Sequence, residues 1–581
     1  MIKSIIIYSK IFPYIKKKRK LQIIFTIFLS ILVSITESLG IGSLLPFIAS
    51  IIDPEKIYSI PIIKNIFHNL NFNIDHLTII FGSVFIFLVL FSSFLKIVLL
   101  KINSKISYSL IGEICTTMFK KIISQPYHLH LGKNSSDIIA TLMERSNSVG
   151  ETTYFLISII NSLLFLFFIT LTITLMAPFN ILNLLIFLLI FYFLVFLFIR
   201  KKIKLNSLNI SQQSGNLIKI TQEALGSIRE ILIYKISNFF VPKFSKANSL
   251  LRNAIGNQVF IAGSPSHLLQ ALILVSGIIF LYYLNYREML IDFVPIIAVI
   301  ILAIQKLFPN VQTVFASLTS ITVKEYSLKK TAEILVLSDT SEEKIKNKTN
   351  KNNKGKLMFK NAIEFKNVCF SYSNDGNFKL DNIGFSIKKG EKIGINGPSG
   401  SGKSTLVNLL LGLLTPTSGQ IFLDNNKLEQ NNIELWQEKI AFVSQNIFLS
   451  DESILQNISF SDDKKNVNTE KINKVLEDVN LINYVNKLPD GINSKVGERG
   501  SKLSGGQVQR IGIARALFKN KEVIVLDEAT NSIDKHNEET ILDNLSKING
   551  LTLILISHND HLLKKCDQIF LVNDGKLQKV S

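Results

Sequence analysis

The chain is 581 residues long, 47% hydrophobic and only 19% charged, a balance that excludes a disordered segment or a small disulfide-stapled scaffold. Lys plus Arg number 64 against 44 Asp plus Glu, and the formal net charge of +20 suits nucleic acid, an anionic membrane face or an anionic substrate. Cys115, Cys369 and Cys566 lie far apart with no CxxC spacing, so no disulfide framework or zinc knuckle is encoded and reduced, cytosolic surroundings are expected.

Apolar residues concentrate in the first 320 positions. Windows of about 20 mostly apolar residues, the length that crosses a hydrocarbon core, fall near 21–43, 77–100, 154–176, 180–200, 259–284 and 290–310 and predict six membrane-spanning helices. Lys16, Lys17, Lys18, Arg19 and Lys20 precede the first window like the basic end of a signal peptide. Its apolar stretch is too long for one and no small-residue cleavage site follows, so an uncleaved anchor is expected. Lys101, Lys105, Lys120 and Lys121 follow the second window, and Arg200, Lys201, Lys202 and Lys204 follow the fourth. These basic flanks belong on the cytoplasmic side.

The opposite loops are 51–76, a tight turn at Pro178 and Asn180, and a short loop with Arg287, Glu288 and Asp292, none strongly basic. Much of the positive charge is thus explained by topology and anionic headgroups, and no nucleic-acid partner is expected. Within the first of these loops, IYSIPIIKNIFHNLNF suits either a short amphipathic helix on the outer interface or an ordered loop. The long cytoplasmic loops 101–153 and 201–258 keep helical apolar spacing, at Ile138, Ile139 and Leu142 and at Ile218, Ala224, Leu225 and Ile228, which predicts helices continuing out of the membrane. SEEKIKNKTNKNNKGK at 341–356 is almost devoid of apolar residues and reads as a solvated linker. The expected organisation is a transmembrane domain over 1–340, a linker over 341–360 and a second domain over 361–581.

After the linker, short β-branched runs alternate with helical patterns. GPSGSGKST at 397–405 follows the strand-like EKIGIN and satisfies G-x-x-x-x-G-K-[ST]. Gly397, Gly400 and Gly402 let backbone N–H groups close around phosphate oxygens, with Ser399 and Ser401 in the same loop and a helix N-terminus behind it. Lys403 is expected to hold the β- and γ-phosphates of ATP, Ser404 to offer its hydroxyl to Mg²⁺ and Thr405 to make a second phosphate contact. VIVLDE at 523–528 reads as a buried strand ending in two carboxylates, with Asp527 holding Mg²⁺ through water and Glu528 polarising the attacking water.

LSGGQ at 503–507 is where the sequence resembles the ATP-binding cassette (ABC) family, for which this pentapeptide is diagnostic. The family's other motifs fall in order: Tyr372 to stack on adenine, Gln445 in FVSQN as the Q-loop residue near Mg²⁺, VGERG at 496–500 as the exporter-type X-loop, and His558 in ISHN as the switch histidine. NSID at 531–534 occupies the D-loop, departing from the common SALD at Asn531 and Ile533 while keeping Asp534, for which modest effects on coupling are expected. The resemblance implies an α/β P-loop cassette fused to an all-α, six-helix membrane domain of the type IV exporter kind. It also implies that Ser504, Gly505, Gly506 and Gln507 of one copy close over the phosphate held by Lys403 of another. One cassette and six spans make half a transporter, and because this chain carries every motif, a homodimer is the simplest assembly. The first coupling helix is expected around 126–136 and the second about 213–225.

ITESLGIGSLLPFI at 35–48 and AIQKLFPNV at 303–311 resemble the first and sixth spans of bacterial flippases for lipid-linked oligosaccharides. That narrower resemblance implies export of a polyprenyl-pyrophosphate saccharide from the inner to the outer leaflet of a bacterial inner membrane, with N-terminus and cassette cytoplasmic. Lys306, and with it Lys96 and Lys101, then become candidate contacts for an anionic lipid head, with snorkelling to the interface or pairing with another helix as the alternatives. Glu37 is expected to pair with a polar group between helices. Alternative cargoes are a lipid A-like lipid, a peptide or a hydrophobic drug, and a gated channel is the rival of another class.

Overall fold

The computed structural model describes residues 2–52, 54–58, 76–176, 181–286, 290–346, 358–372, 379–461 and 467–580. The chain divides into two compact units, Met1–Gln125 with Gly132–Ser341 and Pro126–Leu131 with Glu342–Ser581.

The first unit is helical. Its long helices are α1 (Lys17–Gly42), α2 (His76–Ile123), α3 (Asn147–Met176), α4 (Ile181–Gly226), α5 (Ser237–Tyr286) and α6 (Leu290–Val323). The 48 residues of α2 extend about 72 Å at ~1.5 Å per residue, more than twice a hydrocarbon core of about 30 Å. Together with the 46 residues of α4 and the 50 of α5, this is the helical continuation expected of the two long loops. Among the described residues, Lys17–Ile52, His76–Ile123, Ser135–Thr172 and Ser237–Ile279 are long and apolar enough to cross a membrane. Of the remaining two windows, 180–200 lies on α4 from residue 181 onward and 290–310 on α6, where some side chains are outside the described set.

Helix is the form these sequences require, because hydrocarbon offers backbone groups no partner and each must be satisfied inside its own segment. Hydroxyls follow the same rule: Thr26 donates to the Gln22 carbonyl at 2.8 Å, Ser34 to Ser30 at 2.8 Å and Thr170 to Leu166 at 2.7 Å. Only 11% of the most apolar window of α2 is buried, and Ile86, Phe87, Leu90, Phe94 and Ile97 stand exposed in a row suited to lipid. Ile41, Phe165, Ile169, Tyr192, Leu269, Leu307 and Phe315 join α1, α3, α4, α5 and α6 in one core.

Two expectations shift. The segment 213–225 is not a separate element but the last turns of α4; the break falls at Gly226–Ser227, and a short helix, Ile228–Tyr234, ends with Lys235 in the left-handed region at φ 54°. Apolar spacing continues unbroken through 213–225, and the Gly–Ser pair supplies the breaker. Residues 341–346 of the expected linker continue the helix Glu325–Lys346, since Glu and Lys favour helix, whereas 347–356 lie outside the described residues. Also outside them are 59–75, with most of the proposed interfacial helix, and the turns at 177–180 and 287–289. A short helix, His128–Leu131, falls within 126–136.

The second unit holds an antiparallel sheet, β2-β1-β4-β5, built from β1 (Ala362–Ser371), β2 (Lys379–Lys388), β4 (Ser418–Leu423) and β5 (Asn426–Lys427). Its larger sheet comprises β3 (Lys392–Asn396), β6 (Ile440–Val443), β7 (Val523–Asp527), β8 (Thr552–Ile556), β9 (Gln568–Asn573) and β10 (Lys576–Lys579), in the order β10-β9-β3-β8-β7-β6. Neighbouring strands from β9 to β6 run parallel, and β10 is antiparallel to β9. Continuous apolar runs such as VIVLD and TLILI suit strands covered on both faces. The strand period of two divides them: Val523, Val525, Ile554 and Ile556 enter one core, with Trp436, while Ile524, Leu526, Leu553 and Leu555 enter the other.

Candidate functional site

Four adjacent parallel strands, β3, β8, β7 and β6, end at one edge of the large sheet, where open α/β sheets place their ligands. The P-loop follows β3 and runs into helix Lys403–Leu410. Gly397 has φ +149°, and a Cβ there would sit 2.1 Å from the Val572 carbonyl oxygen, so the turn admits only glycine. Lys403 is 7% exposed; its Nζ donates to the carbonyls of Gly397 at 2.6 Å and Pro398 at 3.1 Å and lies 3.4 Å from His558 Nε2. Burial lowers its pKa, with Glu528 and Asp527 opposing the shift. The buried Ser401 hydroxyl finds no protein partner among the described residues, as fits a loop shaped to receive phosphate oxygens. Ser404 is exposed on the first helical turn. Thr405 Oγ1 lies 3.2 Å from the hydroxyl of Tyr372, whose half-exposed ring stands edge-on to Phe370.

Asp527 closes β7 and Glu528 follows it with φ +50°, a left-handed conformation that costs a non-glycine residue about 1–3 kcal/mol and is found at functional sites. Burial, and then the charge of Glu528, push the Asp527 carboxyl up, while Lys403 pulls it back. Two adjacent carboxylates that repel each other, with the Gln445 amide on one of them and the Ser404 hydroxyl next in sequence to Lys403, are oxygen donors of the kind a Mg²⁺ ion favours. Gln445, beyond β6, donates to Glu528 Oε2 at 2.8 Å, and His558, beyond β8, brings Nε2 to 3.1 Å from Oε1. The edge therefore unites Lys403, Gln445, Asp527, Glu528 and His558. It adds Asn531, which the sequence marked only as a D-loop departure and not as a contact of Glu528: its amide donates to Glu528 Oε2 at 3.1 Å. The available signal was the amide side chain one turn beyond the carboxylate.

LSGGQ forms the start of helix Gly505–Phe518. Ser504 caps it, accepting from the Gln507 N–H at 3.3 Å while Gln507 Oε1 accepts from the Ser504 N–H at 2.9 Å. The helix thus presents its positive end beside Gly505 and Gly506. A Cβ on Gly506 would lie 2.7 Å from the Ser532 carbonyl oxygen, and the Ser532 N–H donates to Gln509 Oε1 at 2.7 Å, so the D-loop rests on this helix. Asp534 caps helix Lys535–Ser546, accepting from the Asn537 N–H at 3.1 Å and from its side-chain amide at 2.7 Å.

In the helical unit, Glu37 of α1 is 6% exposed and its Oε1 accepts from Lys306 Nζ of α6 at 3.3 Å and from Lys96 of α2. The sequence expected Glu37 to pair between helices and left Lys306 open between an anionic head, snorkelling and pairing with another helix; the structure joins the two residues, leaving one surplus positive charge on two half-exposed ammonium groups. Lys101 is exposed and takes no part in this cluster.

Two families match: "ABC transporter transmembrane region" over residues 21–284 and "ABC transporter" over 380–531. An "ATP-dependent lipid A-core flippase" of Ralstonia nicotianae is 38% identical over 217 residues, 37% of each chain. The "Heterocyst differentiation ATP-binding protein HepA" of Nostoc sp. is 29% identical over 388 residues, 65% of this chain and 61% of its own. These alignments span less than two thirds of either relative's length. A bacterial Atm1-family ABC exporter with ATP bound shares the fold, with a TM-score of 0.77 at 19% identity over 97% of this chain and 95% of that one. With the family's membrane region and its nucleotide-binding cassette matched in one polypeptide, the chain belongs to the ABC transporters.

Proposed function

We propose that the chain is an ATP-hydrolysing exporter that moves a lipid-borne cargo from the inner to the outer leaflet of a bacterial inner membrane, working as a homodimer with its cassettes in the cytoplasm. The observation that carries this reading is the convergence of Lys403, Gln445, Asp527, Glu528 and His558 on one sheet edge, in a chain that also holds four stretches fit to cross a membrane.

P-loop amides and Lys403 grip the phosphates of ATP, and Lys403 exchanges the Gly397 and Pro398 carbonyls for phosphate oxygens as it does so. Ser404, Asp527 and Gln445 would hold Mg²⁺, which supplies positive charge against the β- and γ-phosphates when bound. Glu528 accepts a proton from the attacking water, and Gln445, Asn531 and His558 fix its two oxygens in place. Tyr372 stacks on adenine. The capped helix end at Ser504–Gln507 of a second copy closes over the γ-phosphate, and cleavage removes the charge that held the copies together.

For the cargo, the surplus charge of Lys96 and Lys306 over Glu37 favours an anionic, phosphate-bearing head, and a polyprenyl-pyrophosphate saccharide fits it. A lipid A-like cargo is the second reading, favoured by the lipid A-core flippases among the relatives. ATPase activity in vesicles, followed by a leaflet assay, separates them. Stimulation by polyprenyl-pyrophosphate saccharide alone supports the first, stimulation by lipid A alone the second, and stimulation only by hydrophobic drugs overturns both.

A further inference from the structure

A cavity of about 660 Å³ lies wholly within the helical unit, where the end of α2, the helix Ser135–Ala140 with the turn after it, α4 and the helix Glu325–Lys346 meet. Its place along these helices puts it outside the bilayer. Ile122 stands 22 residues beyond position 100 and Gln212 stands 12 beyond position 200, where the second and fourth apolar windows end. These are about 33 Å and 18 Å along α2 and α4 at ~1.5 Å per residue, whereas the headgroup layer is about 5–8 Å deep on each side. What enters this cavity comes from solution.

Arg145 is its fixed element. It closes a single π turn, Thr141–Arg145, an irregularity frequent at functional sites, and it lines the cavity while only 4% exposed. Its Nη1 donates to Asp137 Oδ1 at 2.7 Å and to Thr141 Oγ1 at 2.8 Å, and its Nη2 to the Ser211 carbonyl at 3.0 Å. Its Nε has no protein partner among the described residues. Gly215 of α4 leaves the guanidinium room, since a Cβ there would come within 3.0 Å of Nη2. An arginine that only tied these helices together would need no cavity beside it, and a buried donor left unpaired costs about 1–3 kcal/mol unless something outside the chain satisfies it.

Lys133, Lys219 and Lys330 join Arg145 in the wall, against two carboxylates, Asp137 and Glu333. Arg145 and Lys330 are paired with these at 2.7 Å and 3.2 Å. Lys133 meets only the Gln125 amide oxygen at 3.0 Å, and Lys219 reaches Glu223, outside the lining, at 3.8 Å. The lining thus carries two positive charges in excess, which match the charge of about −1.5 to −2 on a phosphomonoester. Asn134, Gln212 and Asn216 add amides suited to hydroxyl groups, and Ile138, Ile334 and Tyr326 give an apolar side for the face of a ring.

We propose that this cavity binds a soluble phosphomonoester carried on a hydroxylated ring, a sugar phosphate or a mononucleotide, with the phosphate held by Lys133, Arg145 and Lys219 and the hydroxyls by the amides. Occupancy bridges α4 to the helices across the cavity. The site shares no residue with the ATP site or with the Lys96–Glu37–Lys306 cluster and does not depend on which cargo is moved.

The test is equilibrium dialysis of the full-length protein, its cassettes saturated with Mg²⁺ and a non-hydrolysable ATP analogue, against labelled glucose 6-phosphate, adenosine monophosphate or inorganic phosphate. Wild type should bind one equivalent per chain of glucose 6-phosphate or of adenosine monophosphate, the tighter of the two naming the carrier, and inorganic phosphate about tenfold more weakly. Lys133→Gln with Lys219→Gln should raise the Kd of the tighter probe about tenfold or more, since charge-assisted hydrogen bonds are lost. Asn216→Trp, which fills the cavity and keeps every charge, should raise it as well. Binding of neither phosphomonoester, or a Kd within twofold of wild type in either variant, overturns the proposal, and the two variants keep it testable if one fails to fold. Inorganic phosphate bound as tightly as both phosphomonoesters would mean a bare anion site and also overturns it.

Discussion

Glu37 offers the sharpest test of how the membrane unit is held together. Replacing it with Gln keeps its shape and removes the one negative charge to which Lys96 and Lys306 both point. Both ammonium groups lie within 3.3 Å of the same oxygen, so they are no more than about 6.6 Å apart. At that distance and an effective dielectric of about 20, two unit charges repel by about 2.5 kcal/mol. The lysine side chains are 44% and 45% exposed, and solvent screening brings this nearer 1–2 kcal/mol. Loss of the attraction to a nearly buried carboxylate adds to it, so Glu37→Gln should cost about 2–4 kcal/mol. Lys306→Gln should cost less, because it leaves a balanced Lys96–Glu37 pair. The double variant should be more stable than Glu37→Gln alone, because the repulsion is gone. Thermal inactivation of the detergent-solubilised protein at one heating rate reads this order without assuming reversible unfolding. A Glu37→Gln protein as stable as wild type, or a double variant weaker than both singles, refutes the ionic account.

Glu528→Gln should lower ATP turnover by about 10²–10⁴-fold while ATP still binds, as read by phosphate release and nucleotide retention; turnover within tenfold of wild type removes Glu528 as the base. Asn531→Ala takes away one of three contacts on that carboxylate and should reduce kcat roughly fivefold with KM unchanged, the worth of about 1 kcal/mol. Gly506→Ala forces the Ser532 carbonyl away from a Cβ that would sit 2.7 Å from it, so turnover should fall while nucleotide binding to the P-loop persists; unchanged turnover would show that the D-loop yields freely. Burial alone would raise the Asp424 carboxyl, but the N–H groups of Lys360, Ala362 and Asn361, at 2.8–2.9 Å, together hold it below the usual range. The stabilisation from a lowered folded-state pKa is complete above the unfolded value of about 4 and is lost as pH falls through the folded value. Asp424→Asn should therefore cost about 1–3 kcal/mol at neutral pH and converge with wild type in acid, and a pH-independent difference in melting would contradict this.

What could be read from the sequence is what lies close along the chain. The P-loop, the two carboxylates of VIVLDE and the LSGGQ helix start are contiguous, and their spacing encodes their local shape. The structure places each at the strand end or helix end that its pattern implies. The ionic cluster was beyond such reading, because Glu37 and Lys306 are 269 positions apart and their meeting depends on how α1 and α6 are rotated, which no local pattern records. The bend after α4 was misplaced for the opposite reason: apolar periodicity runs on through 213–225, and the Gly226–Ser227 pair that ends the helix is a weak signal inside it. Asn531 was visible as a departure from SALD, but its hydrogen bond to Glu528 follows from the backbone turn at φ +50°, a feature of conformation rather than composition.

That turn suggests why the D-loop substitution matters mechanically. Within one copy, Asn531 is fastened to Glu528, while Ser532, the next residue, is fastened to Gln509 and places its carbonyl where a Cβ on residue 506 would clash. Two consecutive residues thus connect Glu528, the proposed base, to the helix end at Ser504–Gln507 that, in the proposed homodimer, closes over the phosphate of the other copy. The hydrogen bonds are short and directional, and only a glycine at 506 leaves room for the Ser532 carbonyl where it stands. Serine at 531 has a shorter reach than asparagine and would need another partner or a water to touch Glu528. An amide at this position therefore ties the proposed base to the Gly505–Phe518 helix more directly, and in the proposed homodimer a change at one phosphate would reach the other through two hydrogen bonds on adjacent residues.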